Sequence, residues 1–145
     1  MGWGMYNKIM DDLKAKIKTL CESYPIQALY VFGSRSAEIL SLLAHELPKN
    51  EESDLDVALL IDGHFSVRQK VDFAQALEEL FKVNRVDLVI LNDADTFLAA
   101  NAVRGYRLYA RNDYEADEFE LYVLRRAGDL AQFERQRIDL ILESR

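Results

Sequence analysis

Apolar positions recur at helical spacing near the start of the chain. Tyr6, Ile9, Met10, Leu13, Ile17 and Leu20 fall on one face and predict a helix over residues 5–21. The pattern then changes. After Pro25, the contiguous run Ala28, Leu29, Tyr30, Val31 and Phe32 predicts a short buried strand that ends at Gly33 and Ser34. Helical spacing returns over 36–47, with Ile39, Leu42, Leu43 and Leu47 on one side, and the polar stretch 48–52 closes it as a loop. A second apolar strand is predicted over 55–61, and Gly63 turns the chain.

Ser66 followed by Gln69 forms a capping-box pair, so a helix starts there. Its predicted apolar face is Val67, Val71, Ala74, Leu77, Leu80 and Phe81. Residues 86–91 predict a third strand. Asp95 is placed to cap a short helix that runs to Arg104, with Gly105 as a C-terminal stop and 106–110 as an edge strand. Residues 114–142 form one long helical pattern. The expected architecture is α/β (or α+β): a small mixed sheet flanked by helices, with a helix at the C-terminus. One domain spans 1–145, with a core over 1–112 and the terminal helix, a candidate docking surface for a partner, over 113–145.

Composition narrows this picture little. Half of the 145 residues are apolar, enough for one ordinary core and far from a membrane-spanning run. The first five residues carry neither the basic nor the apolar region of a secretory signal, so cytoplasm is the expected compartment. Cys21 is the only cysteine, which excludes an internal disulfide and a cysteine-based metal cage. The formal charge of −7 argues against a surface that grips nucleic-acid phosphates, and no direct nucleic-acid binding is expected.

Three features carry chemistry. Gly33 and Ser34 directly follow a buried strand and precede a predicted helix, where glycine permits close approach of a ligand and N–H groups favour an anion. Asp54 and Asp56, two apart at the mouth of a strand, point to one side and repel each other unless a cation lies between them. Their oxygens suit magnesium. Asp87 interrupts the apolar run Val86, Leu88, Val89, Ile90, a costly place for a charge unless it binds a metal or pairs with an arginine such as Arg85. Each feature alone is weak, because turns, strand ends and ion pairs also produce it.

Together they carry a resemblance. The segments Phe32-Gly33-Ser34-Arg35-Ser36, Ser53-Asp54-Leu55-Asp56-Val57-Ala58-Leu59 and Val86-Asp87-Leu88-Val89 stand in the order found in the DNA polymerase β nucleotidyltransferase superfamily. The chain resembles that superfamily's minimal nucleotidyltransferases over residues 13–109. The resemblance implies that Gly33, Ser34 and Arg35 bind the triphosphate of ATP and that Asp54, Asp56 and Asp87 hold two magnesium ions. It also implies that Asp87 helps to deprotonate the attacking hydroxyl. Domains of this size in the family pair with a HEPN-domain RNase toxin, act as its antitoxin and transfer AMP to one of its tyrosines. Three other readings stand beside this one: an antitoxin that neutralises its toxin by contact alone, transfer to a small molecule, and a purely structural subunit, for which three retained acids would be coincidence. The chain departs from the family at 35–53, which is longer than usual, and Ser36-Ala37-Glu38-Ile39 stands where a glycine is common. All three acids are kept, so an active enzyme is expected.

Other residues fit bland roles. Arg104 and Arg107 are expected on solvated surface unless they supply positive charge near a nucleotide, His45 and His64 at exposed positions and Cys21 as a buried filler. Tyr106, Tyr109 and Tyr114 are expected at packed edges unless they stack on a base. Phe119, Tyr122, Leu130, Phe133, Ile138 and Ile141 on the last helix face either the chain's own sheet or a partner.

Overall fold

The computed structural model describes residues 2–33 and 54–143. The helix expected over 36–47, with Ser34, Arg35 and His45, lies outside them. The elements in order are α1 (Gly2–Glu22), β1 (Ile26–Phe32), β2 (Leu55–Ile61), α2 (Val67–Phe81), β3 (Val86–Ile90), a 3-10 turn (Leu91–Asp93), α3 (Thr96–Val103), β4 (Tyr106–Ala110) and α4 (Asp113–Glu143). The strands form one sheet in the order β3-β2-β1-β4. β1 runs antiparallel to both β2 and β4, and β2 and β3 are parallel across the α2 crossover.

The alternation of strand side chains divides the interior into two layers. On one face, Leu29 and Val31 of β1 and Leu55, Val57 and Leu59 of β2 pack with Leu13, Ile17 and Cys21 of α1 and Phe73, Leu77 and Phe81 of α2. On the other, Ala28, Tyr30 and Phe32 of β1 and Ala58 of β2 meet Ala99, Ala100, Ala102 and Val103 of α3 and Ala116, Val123 and Ala127 of α4. The small side chains of α3 and α4 let both helices lie close to the sheet. β1 is central and buried at every position but Gln27.

Local capping chemistry behaves as the sequence implies. The Ser66 hydroxyl accepts the Gln69 N–H at 3.1 Å, and the Gln69 side chain accepts the Ser66 N–H at 2.8 Å. Asp95 accepts the N–H groups of Phe97 and Leu98, both at 3.0 Å. Cys21 is fully buried, and that burial, with Glu22 nearby, pushes its thiol up to about 12, so it is inert filler. His64 is exposed.

Four expectations need correction. The buried stripe of α2 is Phe73, Leu77 and Phe81, whereas Val67 is 76% exposed and Val71 is also exposed. Spacing of i, i+4, i+8 through Phe73 places two aromatic rings in the core, and Phe73 makes edge contact with Tyr24 at 5.1 Å between ring centroids. Gly105 does not end α3 by a left-handed turn, since the only glycines with positive φ among the described residues are Gly33 and Gly63. It is needed for space: a Cβ there would collide with the Val31 carbonyl oxygen and the Phe32 side chain. Tyr106, Tyr109 and Tyr114 do not cluster, because Tyr109 is buried while Tyr106 and Tyr114 are exposed. A bulge in the β1–β4 register opposite Leu29 and Tyr30 lets the neighbours Leu108 and Tyr109 enter the same core.

Arg107 is the fourth. It is not solvated surface but the hub between sheet and α4. Its side chain, 26% exposed, pairs with Asp117 at 2.8 Å, with Asp113 at 3.5 Å and with Glu120. The same Glu120 oxygen accepts the buried Tyr30 hydroxyl at 2.8 Å. These links tie the first part of α4 to β1 and β4. Beyond Ala127 the helix leaves the body. Every side chain at 128–143 is exposed, including Leu130, Phe133, Ile138, Leu140, Ile141 and Leu142, along roughly 24 Å of helix.

Candidate active site

The three acids gather at one end of the sheet, where β1 ends and β2 and β3 begin. Asp56 is the second residue of β2 and pairs in register with Asp87 of β3 on one side and Phe32 of β1 on the other. Neighbouring strands lie about 4.8 Å apart, so the two carboxylates project side by side from adjacent strands. Asp54 directly precedes β2. The backbone that carries it is pinned by the Leu55 N–H, which donates to the Arg85 carbonyl at 3.0 Å. The first two of the three sequence motifs therefore converge on the third through strand pairing alone.

Gly33 completes this end of the sheet. It follows Phe32, adopts φ of 87°, and a Cβ at this position would sit on the Asp56 Oδ2 atom. Only glycine satisfies both conditions: the left-handed backbone and the carboxylate against its Cα. Ser34 and Arg35 lie outside the described residues.

Electrostatics mark the cluster as strained in charge. The Asp56 carboxyl is held above its ordinary value of 3.8, first by burial and then by the negative charges of Asp87 and Asp54. The compensating charge is Arg85. Its Nε lies 3.4 Å from Asp87 Oδ1 and 3.8 Å from Asp54 Oδ2. Asp87 is thus not a buried charge within an apolar strand, as its sequence context suggests. Its side chain is 43% exposed, because β3 is an edge strand and Asp87 stands near the strand's start. Asp54 is 41% exposed. Solvent and a substrate can reach both.

Among the described residues, no group of three His, Cys, Asp or Glu side chains is arranged to hold a metal ion. The donor set still fits magnesium. These are hard carboxylate oxygens in mutual repulsion, and a cationic group already spans two of them. Magnesium takes one or two carboxylates and completes its shell with water and substrate phosphate, so it does not require a preformed three-ligand cage. Arg107 is committed to the acids of α4 and is not a free cation for this site. Arg104 is exposed and directly precedes Gly105, which lies against Val31 and Phe32 at this end of the sheet.

Fold and acid placement together define a nucleotidyl-transfer domain of the polymerase β type. Residues 15–114 match the family model described as polymerase beta, nucleotidyltransferase, and the chain belongs to that family. Solved structures share the fold. A toxin–antitoxin complex with AMP-PNP is 24% identical with a TM-score of 0.63, covering 89% of this chain and 98% of that one. The MntA–HepT toxin–antitoxin is 21% identical with a TM-score of 0.61, covering 91% and 98%. The tri-AMPylated HEPN toxin of Shewanella oneidensis in complex with its MNT antitoxin is 22% identical with a TM-score of 0.61, covering 92% and 98%. No curated protein sequence matches the chain. No helix among the described residues is long and apolar enough to cross a membrane.

Proposed function

We propose that this protein is the antitoxin of a HEPN/MNT pair and that it silences its partner by transferring AMP from ATP to a hydroxyl, a tyrosine's, on that HEPN-domain protein. The observation that carries the reading is the convergence of Asp54, Asp56 and Asp87 beside a left-handed Gly33 within a polymerase β nucleotidyltransferase domain. The structural neighbours support the partner class, since they are toxin–antitoxin complexes, one with an ATP analogue and one with an AMPylated toxin.

In this reading Gly33, Ser34 and Arg35 cradle the triphosphate, with glycine giving the backbone room to approach it. Asp54, Asp56 and Asp87 hold two magnesium ions. When bound, these ions would offset negative charge on the phosphate oxygens and favour the phenoxide form of the acceptor tyrosine. Asp87, exposed on its edge strand, accepts the proton of the acceptor hydroxyl. The hydroxyl oxygen bonds to the α-phosphorus, the bond to the β-phosphate oxygen breaks, and pyrophosphate leaves. Alignment and electrostatics supply most of the acceleration in such transfers.

The exposed second half of α4 is the proposed docking surface for the HEPN partner. Leu130 and Ile141 continue the helix face that Val123 and Ala127 bury against the sheet. This exposed apolar stripe is also the observation that favours the second reading, neutralisation by contact alone. Co-expression with a toxic HEPN partner separates the two. The pair of changes Asp54→Asn and Asp56→Asn abolishes neutralisation while co-purification persists if transfer is the mechanism. Neutralisation that survives both changes sinks the enzymatic reading.

A further inference from the structure

Arg85 stands two residues before Asp87, at the parity that faces the same side of the sheet. Its backbone is fixed, because its carbonyl accepts the N–H of Leu55, the residue between Asp54 and Asp56. Its side chain is not fixed by packing and is 70% exposed. From that anchored base the Nε reaches Asp54 at 3.8 Å and Asp87 at 3.4 Å, distances of ion pairs rather than tight hydrogen bonds.

We propose that Arg85 is a built-in counter-cation: it partly offsets the charges of Asp54 and Asp87 in the metal-free protein and is displaced from them when a divalent cation enters. The inference rests on the reading of these acids as metal-binding groups. A guanidinium does not lose its proton, so it can leave the cluster only by moving, and its exposed, rotatable side chain allows that while the backbone stays in place. The strength of the contact suits the role. Exposed ion pairs of this kind shift an equilibrium by about fivefold or less. That is enough to offset part of the repulsion between Asp54 and Asp87 without metal and too little to exclude a divalent ion. Arg85 is therefore a positioning residue that sets the metal concentration at which the cluster fills.

The test is a titration of the full chain with manganese, followed by the free-ion spin signal, with and without a non-hydrolysable ATP analogue. Arg85→Gln is expected to bind manganese about two- to fivefold more tightly than wild type, and Arg85→Lys to stay near wild type. Without metal, Arg85→Gln melts below wild type, and the two melting curves converge at saturating manganese. Equal or weaker binding by Arg85→Gln overturns the counter-cation role while leaving the metal reading intact. Absence of manganese binding by wild type in both conditions overturns the metal reading, and this proposal with it.

Discussion

Asp56 and Asp87 are register partners on adjacent parallel strands, so two carboxylates separated by thirty-one positions in sequence stand one strand spacing apart. Nothing in core packing calls for this arrangement. It raises the Asp56 carboxyl and costs the metal-free fold stability, which is the expected signature of a site shaped for a cation.

That cost is measurable as a function of pH. A carboxyl raised on folding contributes stability that is fully present below its ordinary value of 3.8 and is lost as pH rises through the folded value. Asp56→Asn removes the charge and its repulsion by Asp87 and Asp54. The variant is expected to melt a few degrees above metal-free wild type at pH 7, with the difference vanishing below pH 3.8. Thermal melts across this range check the sign, and magnesium should reverse the order at neutral pH.

Gly33→Ala places a methyl group on the Asp56 carboxylate and forces alanine into a left-handed conformation. The conformational part alone costs roughly 1–2 kcal/mol. Displacement of Asp56 lowers the transfer rate on the order of 10- to 100-fold. Denaturant unfolding and a pyrophosphate-release assay separate the two effects.

Arg107 joins β4 to three acids of α4, one of which also holds the buried Tyr30 hydroxyl. Arg107→Ala is expected to destabilise the fold by about 2–3 kcal/mol, because it leaves Glu120 part-buried without its cation. Tyr30→Phe keeps the Arg107 contact and costs about 1 kcal/mol. Urea titrations of both variants test the ranking.

Two changes probe the projecting half of α4. Leu130→Glu and Ile141→Glu lie beyond the packed part of the helix, so stability of the isolated chain stays within about 0.5 kcal/mol of wild type. Affinity for the HEPN partner is expected to fall about tenfold or more. Calorimetry of the complex measures it, and unchanged affinity removes α4 from the interface.

The sequence exposes what depends on neighbours along the chain. The Ser66–Gln69 capping box and the Asp95 cap use groups within three residues of each other, and both form. The contiguous run of β1 is legible because a central strand is apolar on both faces. What sequence hides is fixed by topology. Asp87 reads as a buried charge until β3 proves to be an edge strand. The face of α2 is settled by Tyr24 and the sheet beneath it, which select Phe73 over Val67 and Val71. Arg107 finds its acids only once β4 and α4 are packed together. Arg85 could be named as a partner of Asp87 from proximity, but its reach to Asp54 follows from strand pairing.

The most direct test of the account is intact mass spectrometry of a cognate HEPN-domain partner after incubation with this protein, ATP and magnesium. Asp54→Asn with Asp56→Asn serves as the control. A gain of one or more AMP masses on the partner is expected, absent with the double variant and localised to a tyrosine on fragmentation. A stable complex whose partner mass stays unchanged would contradict it and leave neutralisation by contact as the function.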